Sequence, residues 1–353
     1  MSSKPISNTK ADISPVYKPG SFEACTRKTV NGKSVITDER ISLTKDYLEN
    51  IKGGIVHEAT KSIGRIRATW GDGEAVKHTT FNYVHGGTFF AISPDGIGIT
   101  NWHVSHKLKS QGDQLWVDFP FISEPPAFSK SEGAVINPQD LDSIDDSNKI
   151  DIVSVPVVEL ASSPQDDLAL IAIALPEQED LWNYLSFNKG SLKNGDSTYE
   201  IGHFLAQRYP ILTASTVQDL SYELEDIDID EVEENWKMAK NYKSLSESII
   251  TAHKGGPGCS GSPLLNSKGE VLGVTHSGYY SLTLRVKNYL KQLIGIRPSY
   301  PEKNVLGSLH LSLEKRVFPF LQKVCKVNID NLFQGKPLRF SNVIEGLFRK
   351  KTL

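Results

Sequence analysis

Three short segments of this sequence carry residues that could together perform acyl transfer. The first is Gly256-Pro257-Gly258-Cys259-Ser260-Gly261-Ser262-Pro263-Leu264-Leu265. A serine hydroxyl is a poor nucleophile until a base lies beside it. The reaction also needs donors aimed at the oxygen that becomes negative. A tight glycine turn can supply them as backbone N–H groups, because glycine tolerates the necessary dihedral angles. The amides of Gly258 and Ser260 are the natural candidates here. The second segment is Gly96-Ile97-Gly98-Ile99-Thr100-Asn101-Trp102-His103-Val104, which mounts a histidine at the exit of a strand, where a general base could be held rigidly. The third is Asp166-Asp167, immediately before the apolar run Leu168–Leu175. Either acid could lie at the edge of a dry core and accept a hydrogen bond from an imidazole. Taken singly, each segment has a plain structural reading: a Gly/Ser/Pro loop, one of nine histidines, a turn with solvated carboxylates.

The surrounding elements read as β-structure. Ser62–Trp70, Thr88–Ile92, Ile97–Thr100, Leu115–Phe119, Ile152–Val158, Leu168–Leu175, Thr198–Ile201, Ile211–Val217, Ser262–Leu265 and Val271–His276 are short apolar segments. They are separated by turn signals such as Pro94-Asp95-Gly96, Asn194-Gly195-Asp196 and Ser267-Lys268-Gly269. Many short strands so punctuated predict a barrel or sandwich and not a βαβ fold. Residues 1–40 lack apolar periodicity and read as a mobile arm or a loosely docked lead-in. Leu43, Tyr47, Leu48 and Ile51 fall on one helical face that Gly53-Gly54 would end. Asp219 to Glu234 holds nine acids and no Lys or Arg, followed by Trp236 and Ala239 at helical spacing, so an acidic loop leading into an amphipathic helix is expected. Leu282, Val286, Tyr289, Leu290 and Leu293 mark one helix, and Leu313, Val317, Phe320, Leu321 and Val324 another.

The composition narrows the function classes. With 39 Lys plus Arg against 42 Asp plus Glu, the net charge of −3 gives no support to nucleic-acid binding. Cys25, Cys259 and Cys325 cannot all pair within one chain and show no zinc-like spacing, so free thiols and a reducing compartment are expected. The first twenty residues contain no secretory apolar stretch, and the longest apolar run is too short to cross a membrane. These features predict a cytoplasmic protein with no membrane span.

The three segments occur in the order His, Asp, Ser, and together they resemble the trypsin-like family, particularly its HtrA-like and bacterial glutamyl-endopeptidase-like branches. Thr100-x-x-His103-Val104 is similar to that family's histidine block, Asp167-Leu168-Ala169-Leu170 to its acid-bearing strand, and Gly258-Cys259-Ser260-Gly261-Ser262-Pro263 to its nucleophile loop. Gly86-Gly87-Thr88-Phe89, Ile201-Gly202, Thr213–Val217 and Val271–Val274 resemble its flanking strands. The resemblance spans about residues 60–280, with Ser308–Val324 as a closing strand and helix.

The resemblance implies a mostly β chymotrypsin-like fold: two six-stranded antiparallel Greek-key barrels with helical N- and C-terminal additions. The expected division is an N-terminal extension 1–58, a protease domain 59–326 with an acidic insert 219–243 and a helical insert 281–306, and a tail 327–353. It also implies a serine endopeptidase that needs no cofactor or metal and acts on protein or peptide substrates. Ser260 would be the nucleophile, His103 the general base and Asp167, not Asp166, the orienting acid, with Gly258 and Ser260 as the oxyanion hole. Lys254, Thr275, His276 and Gly278 would line the S1 pocket, where Lys254 and His276 would favour an acidic or polar P1 side chain. Secreted relatives usually carry Asp where this chain has Cys259, so activation by a newly cut N-terminus is not expected. Viral relatives use a cysteine nucleophile, but Cys259 stands one position out of register. The chain order rules against an α/β-hydrolase. An inactive trypsin-like binding or regulatory module is the alternative, and the acidic insert offers a place for an activating protein partner.

Overall fold

A computed structural model of the chain describes residues 27–30, 33–36, 40–44, 48, 50, 54–70, 75–76, 85–120, 153–173, 182–204, 207, 209–222, 248–252, 256–280 and 305–338. An N-terminal hairpin, β1 (Arg27–Val30) and β2 (Lys33–Ile36), precedes β3 (Arg40–Ser42) and α1 (Ile55–Thr60). This part of the lead-in is therefore structured, although it lacks the apolar periodicity that would reveal it in the sequence.

Six strands then build the first barrel: β4 (Ile63–Thr69), β5 (Gly86–Ala91), β6 (Ile97–Thr100), β7 (Gln114–Phe119), β8 (Val153–Ser163) and β9 (Leu168–Ile173). Their order around the ring is β4-β5-β6-β9-β8-β7, closed by antiparallel pairing of β7 with β4. Between β6 and β7 lies α2 (Trp102–Gln111). The second barrel comprises β10 (Ser197–Gly202), β11 (Ile211–Tyr222), β12 (Ser248–Thr251), β13 (Pro263–Leu265), β14 (Val271–Tyr280) and β15 (Val305–Ser312). It runs β10-β13-β14-β15-β12-β11 and closes where β11 pairs with β10, while β3 adds to β11 from outside. The expected pair of six-stranded antiparallel barrels is thus present.

The alternation of side chains along each strand explains how the barrels pack. In β9, Ala169, Ile171 and Ile173 fill the first barrel, while Leu168, Leu170 and Ala172 point into a second cluster shared by both barrels. Both faces of β9 are buried, which is why its sequence is continuously apolar. The shared cluster also takes Leu43, Leu48, Val56 and Ala59 from the N-terminal side and Val317, Phe320, Leu321, Ile329 and Leu332 from the C-terminal side. The N-terminal lead-in and the segment beyond 326 therefore contribute to the same core as the barrels. Residues 313–324 are helical as expected, wound as π-turns at Leu313–Val317 and Phe320–Val324, and α3 (Ile329–Phe333) follows.

Asp219–Tyr222, expected as the start of an acidic loop, instead continue β11 and pair with β12 through register shifts. The rest of that insert from residue 223, the predicted helix at 282–293, the end of the chain from residue 339 and Cys25 lie outside the described residues. Cys259 and Cys325 are buried free thiols. Among the described residues no helix is long and apolar enough to cross a membrane.

Candidate active site

His103 lies in the first turn of α2, one residue beyond the buried Trp102. Thr100 and Asn101 just before it are fully buried and tied down: Thr100 Oγ1 donates to Thr88 O at 2.7 Å, and Asn101 Nδ2 donates to Asp167 O at 3.0 Å. The sequence places His103 at a strand exit but does not reveal this helix, whose apolar face is only Trp102, Val104 and Leu108.

The two adjacent acids diverge sharply. Asp167 is completely buried at the turn into β9, with φ of 50°, a left-handed conformation that Asp and Asn adopt more readily than other non-glycine residues. Its Oδ2 lies 2.8 Å from His103 Nδ1, and its Oδ1 accepts the His103 backbone N–H at 2.9 Å. Asp166 faces away, accepting Ser163 Oγ at 2.6 Å and lying 3.6 Å from Arg316 Nη1. Burial alone would raise the pKa of Asp167. The imidazoles of His103 and His276, together with the hydrogen bonds from His103, outweigh it and hold the carboxyl below its ordinary range. A carboxylate so placed orients an imidazole and stabilises its protonated form.

Ser260 comes from the second barrel. Its loop begins with a turn in which Cys259 N–H donates to Gly256 O at 3.1 Å, around Pro257 and Gly258. Gly258 has φ of 90° and Gly261 has φ of 87°, both in the region that favours glycine. At Gly261 a Cβ would fall 2.2 Å from Thr88 O, so the close approach of the two barrels needs glycine for a second reason. Thr88 on β5 binds the loop twice: its N–H donates to Ser260 O and its hydroxyl to Gly258 O, each at 2.9 Å. Among the described residues, the amides of Gly258 and Ser260 donate to no acceptor. The Ser260 hydroxyl donates to His276 O at 3.2 Å.

Of the residues expected around S1, Thr275, His276 and Gly278 lie among the described residues. Lys254 lies outside the described residues. Thr275 and His276, expected as pocket lining, turn their side chains inward. Thr275 Oγ1 is 3.0 Å from Nδ1 of the buried His310, whose Nε2 is 2.8 Å from Thr251 Oγ1. His276 is buried, with Nε2 3.2 Å from Asp167 Oδ2. Gly278 sits half-buried on β14, paired with Ser308. Sequence reasoning did not find Thr88 or Asn101 as supports. Only the Asn directly before the histidine helix, a preferred residue type at helix starts, gave any signal. Among the described residues no cluster of side chains could hold a metal ion.

A sequence model of the trypsin-like peptidase domain matches residues 87–274, more than half of the chain. No curated protein matches the sequence. Solved structures that the chain is similar to include Deg5, at 19% identity over 75% of this chain and 90% of that one, with a TM-score of 0.44. Another is the active form of the Rv3671c protease from M. tuberculosis, at 17% identity, 76% and 83% coverage and a TM-score of 0.45. The HtrA-type protease AlgW with a tripeptide is similar at 14% identity, 76% and 61% coverage and a TM-score of 0.45.

Proposed function

Because the chain belongs to the trypsin-like peptidase domain family, and is thus a serine endopeptidase, we propose that it cleaves protein or peptide substrates through an acyl-enzyme formed on Ser260. The observation that carries this reading is the pairing of His103 Nδ1 with the wholly buried Asp167 at 2.8 Å, on the barrel that faces the Ser260 loop. His103 Nε2 takes the hydroxyl proton of Ser260 as Oγ attacks the scissile carbonyl, and then delivers that proton to the leaving amine. Water, deprotonated by the same nitrogen, releases the acyl group. Asp167 remains ionised throughout and stabilises the imidazolium. The amides of Gly258 and Ser260, which have no acceptor among the described residues, receive the oxyanion. No metal or cofactor enters these steps. Gly278 and Lys254 remain candidates for the S1 wall, and the acidic insert remains a candidate docking site for an activating protein.

One observation favours a second reading, a trypsin-like module without activity: the Ser260 hydroxyl rests on His276 O and not on His103. Catalytic hydrogen bonds often tighten only when substrate binds, so this arrangement is compatible with an active enzyme. A fluorophosphonate separates the two readings. The expected result is one covalent adduct, located on Ser260 by peptide mapping and formed far more slowly in His103→Ala. An unlabelled protein would support the binding module, and an adduct on Cys259 would move the nucleophile.

A further inference from the structure

We propose that the hydroxyl of Thr88 is a positioning group for the oxyanion hole, setting the direction of the Gly258 amide from the opposite barrel. This rests on the reading of Gly258 and Ser260 as that hole and adds a residue to it. The backbone around Thr88 gives the first argument. β5 pairs with β6 through Phe90 and Ala91, short of Thr88, so the strand edge at Thr88 is open to other partners. Its N–H donates to Ser260 O at 2.9 Å, and its carbonyl accepts Thr100 Oγ1 at 2.7 Å. The side chain between these bonds is fully buried and β-branched, which leaves it few rotamers. Small residues let the loop come this close. A Cβ on Gly87 would fall 2.7 Å from Val104 Cγ1 and 3.0 Å from Ser260 O, and one on Gly202 would run into Ser262 Oγ.

The second argument is the direction of the hydrogen bonds. A threonine hydroxyl has one hydrogen to give and can also accept. The backbone N–H of His203 can only donate, and it reaches Thr88 Oγ1 at 2.9 Å. The hydroxyl hydrogen is therefore left for Gly258 O, also at 2.9 Å. His203 is itself fully buried and anchored, with Nδ1 2.8 Å from Gln207 O. A carbonyl only accepts, so Nδ1 carries the proton there. The order His203 N–H, Thr88 hydroxyl, Gly258 carbonyl thus has one possible polarity.

The third argument is what this bond controls. The peptide joining Gly258 to Cys259 is held at both ends: its carbonyl by Thr88, its N–H by Gly256 O at 3.1 Å. Gly258 has φ of 90° and no side chain, so nothing within the residue keeps it there. Among the described residues, no donor other than the Thr88 hydroxyl reaches Gly258 O. Thr88 therefore touches both residues whose amides would receive the oxyanion, Ser260 through its main chain and Gly258 through its side chain. The first bond survives any substitution that keeps β5 in place. The second needs the hydroxyl. Without it the carbonyl end is released, Gly258 samples other dihedral angles, and its N–H meets the oxyanion for only part of the time.

The test compares Thr88→Ala, Thr88→Val and Thr88→Ser in the full-length chain, at a temperature where each is folded. The readouts are kcat and KM on a fluorogenic peptide and Ki for a peptide aldehyde of the same sequence. Ser260 Oγ adds to the aldehyde carbon, its proton passes to His103, and the hemiacetal oxygen occupies the hole. Thr88→Ala and Thr88→Val should lower kcat by about tenfold, the rate equivalent of a neutral hydrogen bond. That is less than the roughly 100-fold or more that follows outright loss of an oxyanion donor, because the Gly258 N–H is misdirected and not deleted. KM should change little, and Ki should rise by the factor by which kcat/KM falls. The acid limb of kcat/KM, set by His103 and Asp167, should not move. Thr88→Ser should restore most of the loss. A lower melting temperature with wild-type kcat and Ki in Thr88→Ala would make the hydroxyl merely structural and overturn the proposal, as would a Thr88→Ser protein no better than Thr88→Ala. If neither variant lacking the hydroxyl folds, NMR of the wild type decides. The Thr88 hydroxyl proton should be protected from exchange and close to the His203 amide proton, and a freely exchanging one would overturn the proposal. The fluorophosphonate separates the two levels. Absence of a Ser260 adduct in the wild type defeats the acyl-enzyme reading, whereas an adduct formed at the wild-type rate in Thr88→Ala defeats only this role for Thr88.

Discussion

Replacement of Ser260 by alanine is expected to lower kcat by roughly a million-fold while leaving the melting temperature unchanged. The substitution removes one hydroxyl from a loop whose shape is held by other bonds: Thr88 on Ser260 O and Gly258 O, Gly261 N–H on Thr275 O, and Ser262 N–H on Cys259 O. None of these involves the Ser260 side chain. The size of the effect is that seen when the nucleophile of a triad is deleted and only binding and the oxyanion hole remain. His103→Ala should be nearly as inactive, and the double variant little worse than either, because the groups act as a unit. Initial rates on a fluorogenic peptide, together with a thermal melt, give both quantities. A Ser260→Ala protein retaining a hundredth of the activity would place the nucleophile elsewhere.

Loss of Asp118 should act on the fold instead. On the buried outer face of the first barrel, opposite the side that carries Val117 and Phe119, its Oδ2 accepts Arg65 Nε at 3.0 Å, Arg65 Nη2 at 2.7 Å and Arg67 Nε at 2.8 Å, while Oδ1 accepts Ser154 Oγ at 2.7 Å. All three ionic side chains are at most 4% exposed. Asp118→Ala leaves two buried guanidiniums without this carboxylate, a change that costs about 3–5 kcal/mol. Against a total stability of about 5–15 kcal/mol this is severe, and the melting temperature should fall by about 10 °C. The pH dependence follows the same pair. Burial would raise the Asp118 pKa, but Arg67 and Arg65 hold it far below the ordinary value. A depressed folded pKa contributes stability that is present above the unfolded value of about 4 and is lost as pH falls toward the folded one. The wild type should therefore lose stability steadily below about pH 4, and Asp118→Ala should lose less over the same range. Equal acid slopes for the two proteins would remove Asp118 from this role.

The sequence reveals the fold where burial is periodic and conceals it where tertiary context decides. Ile97–Thr100 and Leu168–Ile173 announce themselves, because strands buried against a core must be apolar. β12, with only four residues, gives no independent signal, and Asp219–Tyr222 looks like a loop because it opens the acid-rich run to Glu234, which masks the continuation of β11. In the candidate site, Ser260 and His103 stand in recognisable segments. Asp166 and Asp167, by contrast, are chemically identical neighbours, and only the left-handed turn separates their directions. The direction of the His276 side chain could not be read from sequence, since it sits at a one-residue register shift in β14 and lies 3.2 Å from Asp167. The S1 reading of Thr275 and His276 came from the family resemblance, which carries no information about which way each side chain turns; here both are buried, beside His310 and Asp167.

Thr88 joins one half of the molecule to the other, since it hangs the Ser260 loop on β5 and accepts the His203 N–H from the end of β10. His103 and Asp167 belong to one barrel, and Ser260 and His276 to the other. On the proposed triad, hydrolysis is a coincidence signal: neither barrel would hold all of Ser260, His103 and Asp167, however well it folds alone. Two fragments divided between β9 and β10 would each be silent, and any turnover on mixing would count the reassembled pairs. In the intact chain, the same arrangement makes activity a gauge of barrel docking and not of strand content.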